Sequence, residues 1–211
     1  SAASDVYKRQ NIHNIINLIL KKMTEKELAL LRKALMQSQN YLEFGSGNST
    51  LLATETETIK HITVVESDAF FWNEKLLNIP SIEYGVYTKR IKPLLINIGP
   101  TGEWGYPTDS SYQSQWPLYS SSAFHEKASY DLILVDGRFR VACILQACLH
   151  CSPKTKIMIH DFFNRPIYFV VCPFLKLEEK ADTLGIFSIN KRKTIGILKE
   201  YISIYEKLPG F

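Results

Sequence analysis

Two groups of residues have types and spacings that could do chemistry. The first is Tyr41-Leu-Glu43-Phe-Gly45-Ser46-Gly47-Asn48-Ser49-Thr50, an apolar strand running into Glu-x-Gly-x-Gly and a polar helix start. Gly45 and Gly47 can take backbone angles that a Cβ forbids and let a ligand approach the main chain, while Asn48, Ser49 and Thr50 can cap the following helix. Glu43 selects among ligands. A carboxylate two residues before the first glycine repels a dinucleotide pyrophosphate, but it suits the ammonium and sulfonium charges of S-adenosylmethionine (SAM), which has no phosphate. The dinucleotide pattern also asks for a third small residue three places after Gly47, where this chain has Thr50. SAM therefore leads NAD, and a turn that holds no ligand is the plainer alternative. Glu66 ends the next apolar run, about 20 residues after the turn, where an acid can accept hydrogen bonds from both hydroxyls of a ribose. Ser67 goes with it as a cofactor residue, and Asp68 is placed to cap the next helix.

The second group ends two later runs. Tyr130-Asp-Leu-Ile-Leu-Val-Asp136-Gly-Arg138-Phe-Arg140 delivers Asp136 to a strand end, and Ile157-Met-Ile-His160-Asp161-Phe-Phe-Asn164 repeats the logic one strand later. Asp136 and Asp161, with Asn164 close by, could hold a divalent cation that polarises a substrate hydroxyl. Alternatively His160 could be a general base, since its unperturbed pKa lies near working pH. The third reading is structural, with both acids capping helices. Arg138 could clamp a carboxylate or phosphate on a substrate, or pair with a surface acid. Between the two groups, Gly99-Pro-Thr-Gly102-Glu-Trp104-Gly-Tyr106-Pro, continuing through Trp116 to Phe124, is loop-like and aromatic. Such an insertion could close over a substrate, with its Trp and Tyr side chains as stacking or hydrogen-bonding surfaces, Gly as hinge and Trp104 and Trp116 lining the pocket, or simply pack on the core.

These residues need a frame that brings them to one edge. Apolar positions Ile12, Ile15, Ile16, Ile19 and Leu20 have the spacing of one helix face over 12–22. Thr24-Glu-Lys-Glu27 forms a capping box for a second helix, with Leu28, Leu31, Leu35 and Met36 inward. The pattern then alternates, with strands expected at 40–44, 61–66, 130–136 and 155–160 and helices near 48–58, 68–77 and 138–150. Alternation implies a doubly wound, Rossmann-like α/β fold with a mostly parallel sheet and ligands at its carboxyl edge. The third strand has two candidates, Ser81 to Tyr87 and Leu94 to Ile98. The tail reads as an antiparallel hairpin, with strands over 183–189 and 194–199 around the polar turn 190–193.

Composition narrows the class. Residues 1–10, SAASDVYKRQ, match the in-frame translation of a transposon adaptor used in sequencing libraries, so they are set aside and the protein's own sequence is expected from Asn11. Residues 11–211, with 45% hydrophobic content, are expected to form one domain with N-terminal helices over 11–38. No apolar run reaches the roughly 18 residues of a membrane span. A net charge of +4 is modest, and the basic clusters Lys89-Arg90-Ile91-Lys92 and Lys191-Arg192-Lys193 are short, so they read as solvated turns and argue against a nucleic-acid partner. Cys148-Leu-His150-Cys151 is half of a zinc pattern with no second half. Reduced, mostly buried thiols and a cytoplasmic location are the expectation.

With these motifs in place, the chain resembles the class I SAM-dependent methyltransferases over Tyr41 to Lys199, through Glu43-x-Gly45-x-Gly47, Glu66 and the closing hairpin. More narrowly, Ile98-Gly-Pro-Thr-Gly-Glu-Trp-Gly-Tyr-Pro107 and Val135-Asp-Gly-Arg-Phe-Arg140 resemble strings of a group of small methyltransferase-like proteins. The resemblance implies SAM as cofactor, a third strand at Leu94 to Ile98, and Asn97 and Ile98 near the adenine, although many family members have an acid where this chain has Asn97. It also likens Asp136 and Asp161 to the cation ligands of metal-dependent O-methyltransferases, whose expected Asn is here Phe162, leaving Asn164 to reach back. There is no Asn-Pro-Pro-Tyr motif of amino-group nucleic-acid methyltransferases. The implied activity is methyl transfer to a small-molecule oxygen or nitrogen nucleophile. Its rivals are a NAD-type oxidoreductase and a SAM-binding protein without catalysis. The expected SAM residues are Glu43, Gly45, Ser46, Gly47, Asn48, Ser49, Thr50, Glu66, Ser67, Asn97, Ile98 and Asp136. Asp136, Arg138, His160 and Asp161 are the expected catalytic or substrate residues, and a metal-free reaction is favoured.

Overall fold

The computed structural model describes residues 23–125, 129–190 and 195–211. The adaptor-like decapeptide, the helix expected over 12–22 and the cluster at 191–193 lie outside them. Thr24 closes the expected capping box, with Glu27 N–H donating to Thr24 Oγ1 at 3.2 Å and Thr24 N–H to Glu27 Oε2 at 2.8 Å, and starts α1 (Glu25–Met36). Leu28, Leu31 and Leu35 face inward and Leu30 joins them, whereas Met36 is exposed. One residue past Leu35, the helix has already turned about 100° away from the core.

The elements that follow are β1 (Asn40–Phe44), α2 (Asn48–Glu55), β2 (His61–Glu66) and α3 (Ala69–Phe71, continuing as a π-helical turn over Trp72–Leu76). Next come α4 (Pro80–Tyr87), β3 (Ile91–Leu95), α5 (Pro117–Ser121), β4 (Leu132–Val135) and α6 (Arg140–His150). The chain closes with β5 (Lys156–Ile159), 3-10 turns through Phe174, β6 (Leu175–Ala181), β7 (Leu184–Ile189) and α7 (Ile195–Tyr205). The sheet order is β3-β2-β1-β4-β5-β7-β6. β1 to β5 run parallel, and β7 is antiparallel to both neighbours. A dinucleotide-type doubly wound sheet ends in a parallel sixth strand; here the chain overshoots to β6 and returns to fill the gap with β7.

Alternation along the strands divides the core into two layers. Leu42, Phe44, Ile133 and Val135 pack with α6 and α7 on one face. Tyr41, Val64, Leu132 and Leu134 pack with α1, α2 and α4 on the other. Glu43 shares the parity of Tyr41 and so enters the second layer beneath α2.

Three sequence expectations are corrected. The third strand is Ile91–Leu95, beginning earlier than the placement over 94–98. The other candidate is helix α4, started by Pro80 at its first position, with Ile82 and Gly85 inward at helical spacing. The antiparallel hairpin exists, but it consists of β6 and β7. The stretch after residue 194 is α7, whose buried Leu198 and Ile202 stand four apart. β6 escaped notice because it is an edge strand, Leu-Lys-Leu-Glu-Glu-Lys-Ala, carrying more charge than apolar surface. Arg90 is not in a merely solvated turn: its guanidinium donates to the carbonyls of Thr54, Thr56 and Ile59, closing the end of α2. Of the cysteines, Cys143 and Cys148 are buried, Cys151 is half-buried, Cys172 is exposed, and all four are free thiols. Among the described residues no helix is long and apolar enough to cross a membrane.

Candidate functional site

β1 and β4 are neighbours, and the turns leaving them touch. Gly45 has φ +88°, and a Cβ there would lie 2.6 Å from Gly137 Cα; a Cβ on Gly137 would lie 2.8 Å from Gly45 N and 2.1 Å from Tyr119 Oη. The first glycine is therefore required by the facing turn, whatever ligand approaches it. Gly47 is in extended backbone, and its N–H donates to Thr50 Oγ1 at 3.0 Å to begin α2.

Glu43 is fully buried. It accepts from Tyr41 Oη at 2.9 Å and from the hydroxyl of Thr50, with Ser49 also contributing. Burial pushes its carboxyl up to about 7, against those hydrogen bonds, and the charge of Glu66 adds to the rise. Ser49 and Thr50 thus serve Glu43 and the helix start, while Ser46 and Asn48 remain half-exposed on the turn. Glu66 Oε2 accepts from Ser46 N at 2.8 Å and Ser46 Oγ at 2.6 Å, and its Oε1 from Ser67 N at 2.7 Å and Asp68 N at 2.9 Å. Asp68 caps α3 as expected, accepting from Phe71 N. Among the described residues no cationic side chain pairs with Glu43 or Glu66. Asn97 is exposed and accepts from Gly99 N, whereas Ile98 is fully buried in the core, its carbonyl taken by Trp116.

At the ends of β4 and β5 the structure brings Asp136, His160 and Asp161 together. Their organiser is Arg140, which the sequence reading passed over. Its guanidinium is 2% exposed and donates to Asp136 Oδ1 at 2.9 Å, to the carbonyls of Asp136, Gly137 and His160, and towards Asp161 Oδ2 at 3.5 Å. His160 is also 2% exposed, with Nδ1 3.0 Å from Asp136 Oδ1 and Nε2 3.6 Å from Glu27 Oε2. Burial alone would lower the imidazole pKa, but the hydrogen bond to Asp136 and the charges of Asp136 and Asp161 outweigh it and hold the pKa raised. Glu27 is 1% exposed and also accepts from Thr183 N and Oγ1, tying α1 to the β6–β7 turn. Its capping-box role was legible; its approach to His160 was not.

This donor set does not suit a divalent cation. Asp136, His160 and Asp161 offer ligand atoms within 4.8 Å of one another, but Arg140 already supplies the positive charge between the two acids. Arg165 adds a second guanidinium 3.2 Å from Asp161, and Asn164 turns its amide N–H towards Asp161. Phe162, at the position where the resemblance to metal-dependent O-methyltransferases calls for Asn, is locked in a cluster with Phe163, Phe169 and Phe187.

The 99–107 loop spans this edge. Gly105 lies near Ser67, after β2, and Tyr106 stacks under Arg138, after β4, so the loop bridges the intervening β1 turn. Its aromatic residue at the site is Tyr106. Trp104 is 67% exposed, and Trp116 is in the core, donating Nε1–H to the Ile98 carbonyl at 2.9 Å, so the pair does not line one pocket. A groove of about 620 Å³ lined by Lys33, Asp131, His150 and Lys156 lies at the opposite, amino edge of the sheet and contains none of the expected cofactor or catalytic residues.

No family model and no curated protein sequence matches the chain. Among solved structures it is similar to a methyltransferase-like protein from Silicibacter pomeroyi DSS-3, with a TM-score of 0.75 and 26% identity over 89% of this chain and 96% of that one. It is also similar to a candidate caffeoyl-CoA O-methyltransferase from Staphylococcus aureus, with a TM-score of 0.55 and 12% identity over 90% and 97% of the two chains. The second likeness concerns the fold alone. Sheet order and structural likeness together define the class I SAM-dependent methyltransferase fold.

Proposed function

We propose that the protein is a SAM-dependent methyltransferase acting on a small-molecule oxygen or nitrogen nucleophile. The observation that carries this reading is the pair of carboxylates at the glycine turn, Glu43 and Glu66, which have no cationic partner among the described residues. Glu43, two residues before the first glycine, sets the field at the turn against a pyrophosphate and in favour of a cationic ligand, while Glu66 suits the ribose of an adenosyl group. Glu66 accepts the ribose hydroxyls by exchanging the Ser46 hydroxyl for them. The 45–48 turn and Ser67 line the cofactor, and Asn97 borders the adenine with Ile98 supporting it from the core. When bound, SAM supplies a methyl carbon activated by its sulfonium.

The chain's own contribution is to place a nucleophile in line with that carbon. Asp136 is 14% exposed at the mouth of the β4 turn, held by Arg140 and by His160 Nδ1, and it accepts the acceptor's O–H or N–H. His160 and Asp161 act on Asp136 and Arg140, as positioning residues. A base that is 2% exposed, with a carboxylate against each ring nitrogen, cannot reach an acceptor. The reading is tested by incubating the protein with SAM and a panel of phenols, amines and carboxylic acids and measuring S-adenosylhomocysteine. Product should form at an unchanged rate in the presence of EDTA. Loss of activity on chelation with recovery on adding magnesium would show that a cation displaces Arg140, and SAM binding without product from any acceptor would favour a binding protein.

A further inference from the structure

Arg138 is a buried charge that the nucleophile-positioning residues do not use. It is 7% exposed, and among the described residues no carboxylate lies within ion-pair distance of it. A guanidinium kept from water normally has an acid beside it, because an unpaired buried charge is costly. Arg140, two residues on, has that arrangement with Asp136 and Asp161, so Arg138 is not needed to neutralise them. Arg138 instead stacks on Tyr106, its guanidinium carbon 4.1 Å from the ring centroid. Arg165 reaches the same place from the turn after β5. It is 3.2 Å from Asp161, and its charge also acts on Tyr106 and Tyr168. The Tyr106 phenol records both neighbours: burial alone would raise its pKa, but Arg138 first and then Arg165 outweigh this and hold it below its ordinary value. Arg140 and Arg165 are thus matched by Asp136 and Asp161, and Arg138, against the same Tyr106 that Arg165 acts on, adds a guanidinium with no acid of its own among the described residues.

We propose that Tyr106, Arg138 and Arg165 form an anion subsite, so that the methyl acceptor carries a carboxylate or a phosphate group gripped there while its nucleophile faces Asp136. The inference rests on the methyltransferase reading and names the substrate class for that same site. Guanidinium forks match the paired oxygens of carboxylates and phosphates, and the phenol O–H adds a third donor. Stacking on Tyr106 holds the Arg138 guanidinium in place when no anion is bound.

The test uses protein saturated with S-adenosylhomocysteine, titrated calorimetrically with 4-hydroxybenzoate, phenyl phosphate and the neutral 4-hydroxybenzamide. At least one anion should bind tenfold or more tightly than the amide, and the tighter of the two tells carboxylate from phosphate. Arg138→Gln and Arg165→Gln should each abolish the preference, and Arg138→Lys should keep part of it. Arg165 is 38% exposed on its side chain, so its variant serves even if Arg138→Gln does not fold. Equal binding of anions and amide, no binding of either anion, or an unchanged preference in Arg165→Gln would overturn the proposal. So would a loss of SAM affinity in folded Arg138→Gln that 5′-methylthioadenosine does not share, since the cofactor's own carboxylate would then occupy the subsite. Failure of the wild-type protein to bind SAM at all would instead sink the methyltransferase reading, so the two failures are distinguishable.

Discussion

Glu43 sits in a place that resists its charge, and that resistance can be measured. Its folded-state pKa of about 7 stands above the ordinary 4.5, so between those values the folded protein keeps a proton that the unfolded chain has released. Stability from this group is therefore lost as pH rises from about 4.5 to 7. A cationic ligand reverses the preference by favouring the ionised form. Binding SAM at pH 6.5 should expel a fraction of a proton, seen as a calorimetric heat that varies with the ionisation enthalpy of the buffer. Glu43→Gln should remove that variation, and a wild-type heat independent of buffer would show that Glu43 does not sense the ligand. Glu43, Glu66 and Asp136 were legible in the sequence because each ends an apolar run beside a turn. Arg140 and Arg165 were not, Glu27 was legible only as a capping-box residue and Tyr106 only as one aromatic of the loop, because their roles arise from contacts between residues far apart in the chain: Glu27 meets His160 and Thr183, and Tyr106 meets Arg138 and Arg165.

The decisive feature among the elements is the contact between the turn after β1 and the turn after β4. Gly45 and Gly137 exclude each other's Cβ, which fixes the separation of the glycine turn from Asp136. In Gly137→Ala a methyl group would meet Tyr119 Oη and the Gly45 backbone, and the turns must part. Overpacking of this kind costs about 1–3 kcal/mol, which for a chain of this size lowers the melting temperature by roughly 2–4 °C per kcal/mol. Thermal unfolding should show that loss together with weakened SAM binding; a variant as stable as wild type would mean the two turns yield easily. β4 and β5 were legible as nearly continuous apolar runs, Leu-Ile-Leu-Val and Lys-Ile-Met-Ile, and β1 and β2 as short β-type runs ending beside a turn. The first half of α7 has the pattern of a strand because Ile195 and Ile197 are β-branched and two apart, although only Leu198 and Ile202 of that helix are buried. The charged edge strand β6 hid in the opposite way.

In the whole molecule, the strand order places the β1 turn between Ser67 on one flank and Arg138 on the other, and the 99–107 loop joins those flanks. Glu43 and Glu66 stand at the glycine turn and Arg138 and Arg165 beside Tyr106, an arrangement that would separate the proposed cationic cofactor from the proposed anionic acceptor. Alternating strands and helices announced the α/β architecture, while the overshoot to β6 and return through β7 depends on which edges pair and has no local signature. The central claim is that the glycine turn holds SAM, and calorimetric titration of one protein sample with SAM and with NAD tests it most directly. SAM should bind and NAD should not. Glu66→Gln, folded as judged by thermal unfolding, should bind SAM at least tenfold more weakly, since each charge-assisted hydrogen bond contributes about 1.5–3 kcal/mol and 1.4 kcal/mol is tenfold. Binding of NAD as tight as that of SAM, or unaltered SAM affinity in Glu66→Gln, would contradict the account.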